Sequence, residues 1–300
     1  MDPAEIAALL RATDPAELID VYPRTVEPFI DVPVVIRDGH VLPEESLEKL
    51  LHSSARVARV PLLMGTNRDE TRVLQLAAGV EIRSLFGLFP RVKDAERYAR
   101  LAYYTSGLWK AAGADEIAAA QVRGGARDVW VYRFDWDEQP STWLGDLPLL
   151  MGASHAMEVP FVFGRFELGP LTKLIFDEAN EPGRLALSDT MMSYWAQFAA
   201  TGDPARGRNG SLPRWERWSE ATVDAPRFLI LDTPASGGPH MSSDSLTQSE
   251  LLAELMRDPL LPEELRCDLL EQIQNNPTTP KIDLVRTGCA DEDRASARTP

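Results

Sequence analysis

Apolar and polar positions alternate with two different periods along this chain. Runs at 60–64 (VPLLM), 129–136 (VWVYRFDW) and 227–231 (RFLIL) are short, apolar and rich in branched or aromatic residues, the pattern of buried strands. Between the first two, apolar residues recur at helical spacing over 95–109 and 112–122. A strand, a helical crossover and a second strand make a parallel pair covered by helices, so the expected fold class is α/β. The third run follows a loop and is expected at the sheet edge.

The strongest helical signal spans 184–201, where Met191, Met192, Trp195, Phe198 and Ala199 share a face. Gly202 offers a left-handed cap and Pro204 blocks extension. At the N-terminus, MDPAEIAALLRATDPAEL has an acidic amphipathic helical pattern, unlike the basic-then-apolar order of a signal peptide. Past Gly237, serine and charged residues take over. Thr247 and Glu250 predict a capping box ahead of Leu251, Leu252 and Leu255, and a short helix near Pro262 carries Leu265, Leu269 and Ile273. Disorder is expected from Asn275 onward. The expected organisation is a body at 1–237 and an acidic tail at 238–300 with one or two short helices. No internal repeat occurs, which excludes a solenoid.

The 300 residues are 44% hydrophobic, ordinary for a folded chain. The formal net charge is −15. Such a surface gains nothing from the counterion release or surface potential that drive binding to nucleic acid or anionic membranes, so neither is an expected partner. No apolar run reaches the roughly 18 residues that a membrane span needs. Cys267 and Cys289 both lie in the polar tail, so no disulfide framework is expected, and a reducing, cytoplasmic setting is the simpler expectation.

Two loops carry the candidate chemistry. Directly after the first strand comes Gly65-Thr66-Asn67-Arg68-Asp69-Glu70, at the strand end where open α/β sheets place functional groups. Taken alone, it reads more readily as a polar turn whose Asn and Asp satisfy backbone donors. After the second strand a loop leads to GASHAMEVPFVFG (152–164), with His155 and Glu158. His155 is one of four histidines, with His40, His52 and His240; a lone histidine is more often structural than catalytic. The order of the loops changes the weighting. A serine hydrolase on such a sheet presents serine, then acid, then histidine along the chain. The acid orients the imidazole, and the imidazole takes the serine proton. This chain supplies acid, then histidine. It has no G-x-x-x-x-G-K-[ST], no G-x-G-x-x-G and no His or Cys at metal-ligand spacing, so neither cofactor nor metal is expected.

Here the resemblance to a known family becomes specific. VPLLMGTNRDE resembles the segment of type B carboxylesterases and cholinesterases whose last glutamate is the triad acid, and GASHAMEVPFVFG resembles the segment bearing the triad histidine. VVIRDGHVLPEE (34–45) is similar to the family's DG-x-x-LP stretch, and YWAQFAATGDP (194–204) to its W-x-x-F-A-x-T-G-D-P helix end. Similarity continues through LPRWERW into RFLILD, so that it runs from about Glu5 to Asp232. The resemblance implies the C-terminal half of an α/β-hydrolase, with Glu70 as triad acid, His155 as triad histidine and Glu158 as a further acid holding the loop by buried hydrogen bonds. It also implies a small uncharged ester as substrate. Where the family has glycine after the acid and after the histidine, this chain has Thr71 and Ala156; a left-handed backbone at either would be strained.

The family's serine lies in a G-x-S-x-G elbow preceded by a glycine-rich oxyanion loop, and neither motif occurs in these 300 residues. Gly152-Ala153-Ser154-His155-Ala156 imitates the elbow but lacks its last glycine, no strand feeds it directly, and Pro160 disrupts a helix after Ser154. Ser154 is therefore a poor nucleophile. An incomplete central sheet is the matching expectation, because parallel strands need partners on both sides. Two alternatives remain. One is an ester hydrolase completed by an N-terminal fragment carrying the serine and inactive alone. The other is a noncatalytic cholinesterase-like interaction module whose tail presents an amphipathic helix.

Overall fold

The computed structural model describes residues 2–22, 24–26, 29–30, 36–45, 50, 60–85, 89–142, 145–275, 287 and 289. The chain divides into two units, Met1–Ser46 and Leu47–Pro300. In the first, the expected N-terminal helix is two helices, Pro3–Ala12 and Pro15–Asp20. Asp14 caps the second and Pro15 starts it, and a proline there cannot continue the first. A two-stranded ladder, Arg24–Val26 with Phe29–Ile30, follows. In the DG-x-x-LP stretch, the Asp38 carboxylate accepts the N–H groups of His40, Val41 and Leu42. Val34 and Val35 of that stretch lie outside the described residues.

The second unit is organised by a four-stranded sheet: β1 (Leu62–Asn67), β2 (Val129–Phe134), β3 (Phe228–Leu231) and β4 (His240–Ser242), in the order β4-β3-β2-β1. Strands β1, β2 and β3 are parallel, and β4 is antiparallel to β3. The third apolar run is therefore internal, not an edge, because a short, largely polar strand that no periodicity marks pairs with its far side. Strand β1 begins at Leu62; Val60, expected inside it, is exposed.

Side-chain alternation explains why the sheet is buried on both faces. Trp130 and Phe134 of β2, with Leu229 and Leu231 of β3, enter one core. Val129 and Val131, with Phe228, enter the other. The first core is closed by α5 (Glu181–Thr201) through Leu187, Met191 and Tyr194, with Trp195 and Phe198 packed at its margin. Ala199, expected on that face, is exposed. Gly202 ends α5 in the left-handed conformation, as its position predicts. The opposite face is covered by α2 (Ala95–Lys110) and α3 (Glu116–Arg123), which a π-helical turn at Ala111–Asp115 fuses into one rod. A hairpin, Ile82–Leu85 with Phe89–Val92, precedes them and was not expected from the pattern. Gly65 is required for the sheet to close: a Cβ there would sit 2.3 Å from the Tyr132 ring.

Beyond Gly237 the expected helices form, as α6 (Gln248–Leu255), with its Thr247–Glu250 capping box, and α7 (Glu263–Asn275). Their apolar faces turn inward: Leu251, Leu255, Leu269, Leu270 and Ile273 pack against Leu101, Tyr104 and Leu108 of α2. Cys267 and Cys289 are buried in the same cluster and joined by a disulfide. The polar setting of the two cysteines did not suggest this pairing, and the expectation of a reducing compartment loses that support. The stretch expected to be disordered lies outside the described residues after Asn275, except for Thr287 and Cys289. Among the described residues no helix is long and apolar enough to cross a membrane.

Candidate active site

The site forms where β1 and β2 end. At Asn67 the chain leaves the sheet and turns through Arg68, Asp69 and Glu70 before α1 (Arg72–Ala77). Arg68 N–H donates to Phe134 O at 2.9 Å, which ties the turn to the end of β2. Asp69 then joins this turn to the 152–158 loop. Its N–H donates to Ala153 O at 3.0 Å, and its carboxylate accepts Ala153 N–H at 3.1 Å. Arg68 and Arg72 flank the same carboxylate at 2.9 and 3.1 Å. The approach is so close that residue 152 must be glycine: a Cβ there would lie 2.4 Å from Asp69 Oδ2, and its φ is +54°.

Glu70 makes the contact with histidine. Its Oε2 lies 2.8 Å from His155 Nδ1, its Oε1 accepts Asn67 N–H at 2.8 Å, and its carbonyl accepts His155 N–H at 3.2 Å. The carboxylate is buried, with 7% of its side chain exposed, while the imidazole keeps 45%. Burial pushes the Glu70 carboxyl above its ordinary pKa; the hydrogen bonds from Asn67 N–H and His155 act in the opposite direction. Against an ionised, acceptor-only carboxylate, Nδ1 carries the proton and Nε2 is left with its lone pair. Such a pair can take a proton from a group placed on the open side of the ring.

Around this pair lies a polar network. Asn67 Nδ2 donates to Ser154 O at 2.8 Å and to Glu158 Oε2 at 2.5 Å, so Glu158 braces the histidine loop through Asn67. Tyr132, half-buried beside both acids, has its phenol pushed upward in pKa by burial and then by Glu158 and Glu70. Ser154 is fully buried, and its hydroxyl makes no hydrogen bond among the described residues. The two non-glycine positions differ. Thr71 has φ −93°, so no left-handed strain arises, and its N–H donates to Ser106 Oγ at 3.2 Å while its hydroxyl lies 2.9 Å from the same oxygen, tying the loop to α2. Ala156 does adopt the left-handed region, at φ +67°.

Three participants were not singled out from sequence. Asn67 sits within the recognised motif, yet nothing in its identity shows that its side chain bridges two loops. Asp69 differs from Glu70 only in which way a tight turn aims it. Trp109, at the end of α2, lies 5.3 Å from the His155 ring, centroid to centroid, and carries no local signal because a helix brings it there from elsewhere in the chain.

The model of the "Carboxylesterase family" matches residues 90–247, more than half of the chain and including His155 and Glu158. Among curated proteins, the chain is 30% identical to the para-nitrobenzyl esterase of Bacillus subtilis over 75% of its own length and 44% of that protein. It is 28% identical to carboxylesterase 3 of Pongo abelii, over 73% and 42% of the respective lengths. It is 32% identical to acetylcholinesterase 1 of Caenorhabditis elegans, over 39% and 17%. The chain thus spans less than half the length of these relatives. With α/β layering, acid–histidine pairing and family match in agreement, the chain belongs to the carboxylesterase family.

Proposed function

We propose that Glu70 and His155 are the acid and base of a triad that hydrolyses small uncharged carboxylic esters, with the serine nucleophile supplied by a segment outside these 300 residues. One observation carries this reading: His155 Nδ1 is held 2.8 Å from a buried carboxylate while 45% of the His155 side chain stays exposed. A histidine kept only for structure gains nothing from so exposed a ring. Glu158 is a supporting residue, bracing the loop through Asn67. In the reaction, Nε2 takes the serine proton as the hydroxyl adds to the ester carbonyl, then returns it to the leaving alcohol; Glu70 stabilises the imidazolium between the two steps. The alternative of an interaction module presenting a tail helix is disfavoured by the burial of the α6 and α7 leucines against α2.

The test uses the chain alone and the chain joined by a segment carrying a glycine-rich loop and G-x-S-x-G. On an aryl ester, the expected result is no effect of Ser154→Ala in the chain alone, and a burst of acyl-enzyme formation only when the segment is present. Loss of substantial activity on Ser154→Ala would overturn the assignment of the nucleophile.

A further inference from the structure

We propose that Trp109 is a positioning residue for His155: its indole holds the imidazole against Glu70 and favours the protonated ring. The consequence for catalysis rests on the reading of His155 as base; the physical contact does not.

Helix α2 buries its apolar residues Leu101, Tyr104 and Leu108 against the tail helices. Trp109 breaks this pattern, with 41% of its surface exposed, and the ring that it approaches is His155, at 5.3 Å between centroids and a tilt of 53°. The separation lies inside the roughly 6 Å within which an aromatic ring attracts a cation, and tryptophan does so best. An imidazolium at residue 155 would then have the Glu70 carboxylate on Nδ1 and the indole beside its ring, leaving Nε2–H free to protonate a leaving alkoxide. The proton is one and the same throughout: it leaves the serine oxygen, resides on Nε2 and departs with the alcohol.

The charged groups described on the two loops, and on α2 beside Trp109, have partners of their own. Glu70 is its direct partner. Glu158 is bound to Asn67. Asp69 is flanked by Arg68 and Arg72. On α2, Lys110 is buried against Asp115. The Tyr132 phenol is held neutral by burial beside the two glutamates. Removing the indole therefore alters one interaction of the imidazole and leaves this charge pattern in place.

The experiment is a pH titration of the imidazole Cε1–Hε1 signals by NMR in the full 300-residue chain, with His155 assigned through His155→Gln. Trp109→Leu is expected to lower the His155 pKa by roughly half a unit, the equivalent of one exposed cation–π contact. Trp109→Phe, which keeps a weaker aromatic face, is expected to fall between that variant and the parent. A Trp109→Leu value equal to or above the parent's overturns the proposal, as does a Trp109→Phe value below that of Trp109→Leu. Glu70→Gln separates this from the proposed function. If it lowers the His155 pKa while Trp109→Leu does not, the acid–base pair stands and the role of Trp109 falls. The reverse outcome keeps Trp109 and removes the pair.

Discussion

Ala156 shows how one residue records the demands of the site. It adopts φ +67° immediately after the histidine, a region that costs a residue with a Cβ on the order of 1 kcal/mol. Ala156→Gly is therefore expected to raise unfolding stability by about 1 kcal/mol, less a few tenths for the freer unfolded chain, as read from urea midpoints. A lower midpoint would show that the alanine methyl has a packing role that outweighs the strain. The same scale separates Asp69 from Glu70. Both are acids in one turn, yet one is spent on Ala153 N–H, Arg68 and Arg72 and the other on His155. Motif order singled out Glu70, His155 and Glu158, and the structure brings all three into one network. Motif order does not reveal which atom each carboxylate meets, because that is decided by backbone turns and by partners such as Asn67 and Trp109 that arrive through packing.

Elements were legible to the extent that burial gave them a period. Strands β1, β2 and β3 are apolar on both faces and announce themselves, whereas β4 and the 82–92 hairpin are short and half-exposed and do not. The place of β3 inside the sheet depends on backbone pairing with β4, which no side-chain pattern encodes. At the end of β3, Asp232 illustrates a cost of this arrangement. Burial pushes its carboxyl up to about 6, with Asp135 and Asp137 adding repulsion. A folded-state pKa above the unfolded value favours protonation in the fold, so this group stabilises below about pH 4 and that contribution is lost as pH rises through 6. Asp232→Asn is expected to leave acid stability unchanged and to stabilise on the order of 2 kcal/mol at pH 7. Urea titrations across pH 4 to 7 check this: a gap between variant and parent that does not widen with pH contradicts it. The tail gives the other element-scale test. Its disulfide closes a separation of 22 residues, a loop worth about 3 kcal/mol in the chain-entropy picture. Reduction, or Cys267→Ser, is expected to lower stability by roughly 2–4 kcal/mol and to increase hydrogen exchange in α6 and α7. Unchanged exchange there would mean that the leucines alone hold the tail.

The larger unit is built on a sheet of three parallel strands and one antiparallel strand, covered on both faces, with the loops that follow two neighbouring strands tied together so that a buried carboxylate meets a half-exposed imidazole. The fold class and the family were legible because apolar runs and four motifs in order cover most of the body. The docking of the tail was not, because its leucines read equally as the face of a free amphipathic helix until a partner surface on α2 is known. The central proposal is that Glu70 and His155 work as one acid–base unit once a serine segment is supplied. Its most direct test is a mutant cycle on ester turnover by the chain joined with that segment, using His155→Ala, Glu70→Gln, the double variant and Asp69→Asn. Residues of a single triad are strongly non-additive. His155→Ala should therefore lower turnover by roughly three or more orders of magnitude, Glu70→Gln should also impair it, the double variant should be little worse than His155→Ala, and Asp69→Asn should do much less. Turnover that survives His155→Ala, or that is abolished by Asp69→Asn while Glu70→Gln leaves it intact, would contradict the assignment.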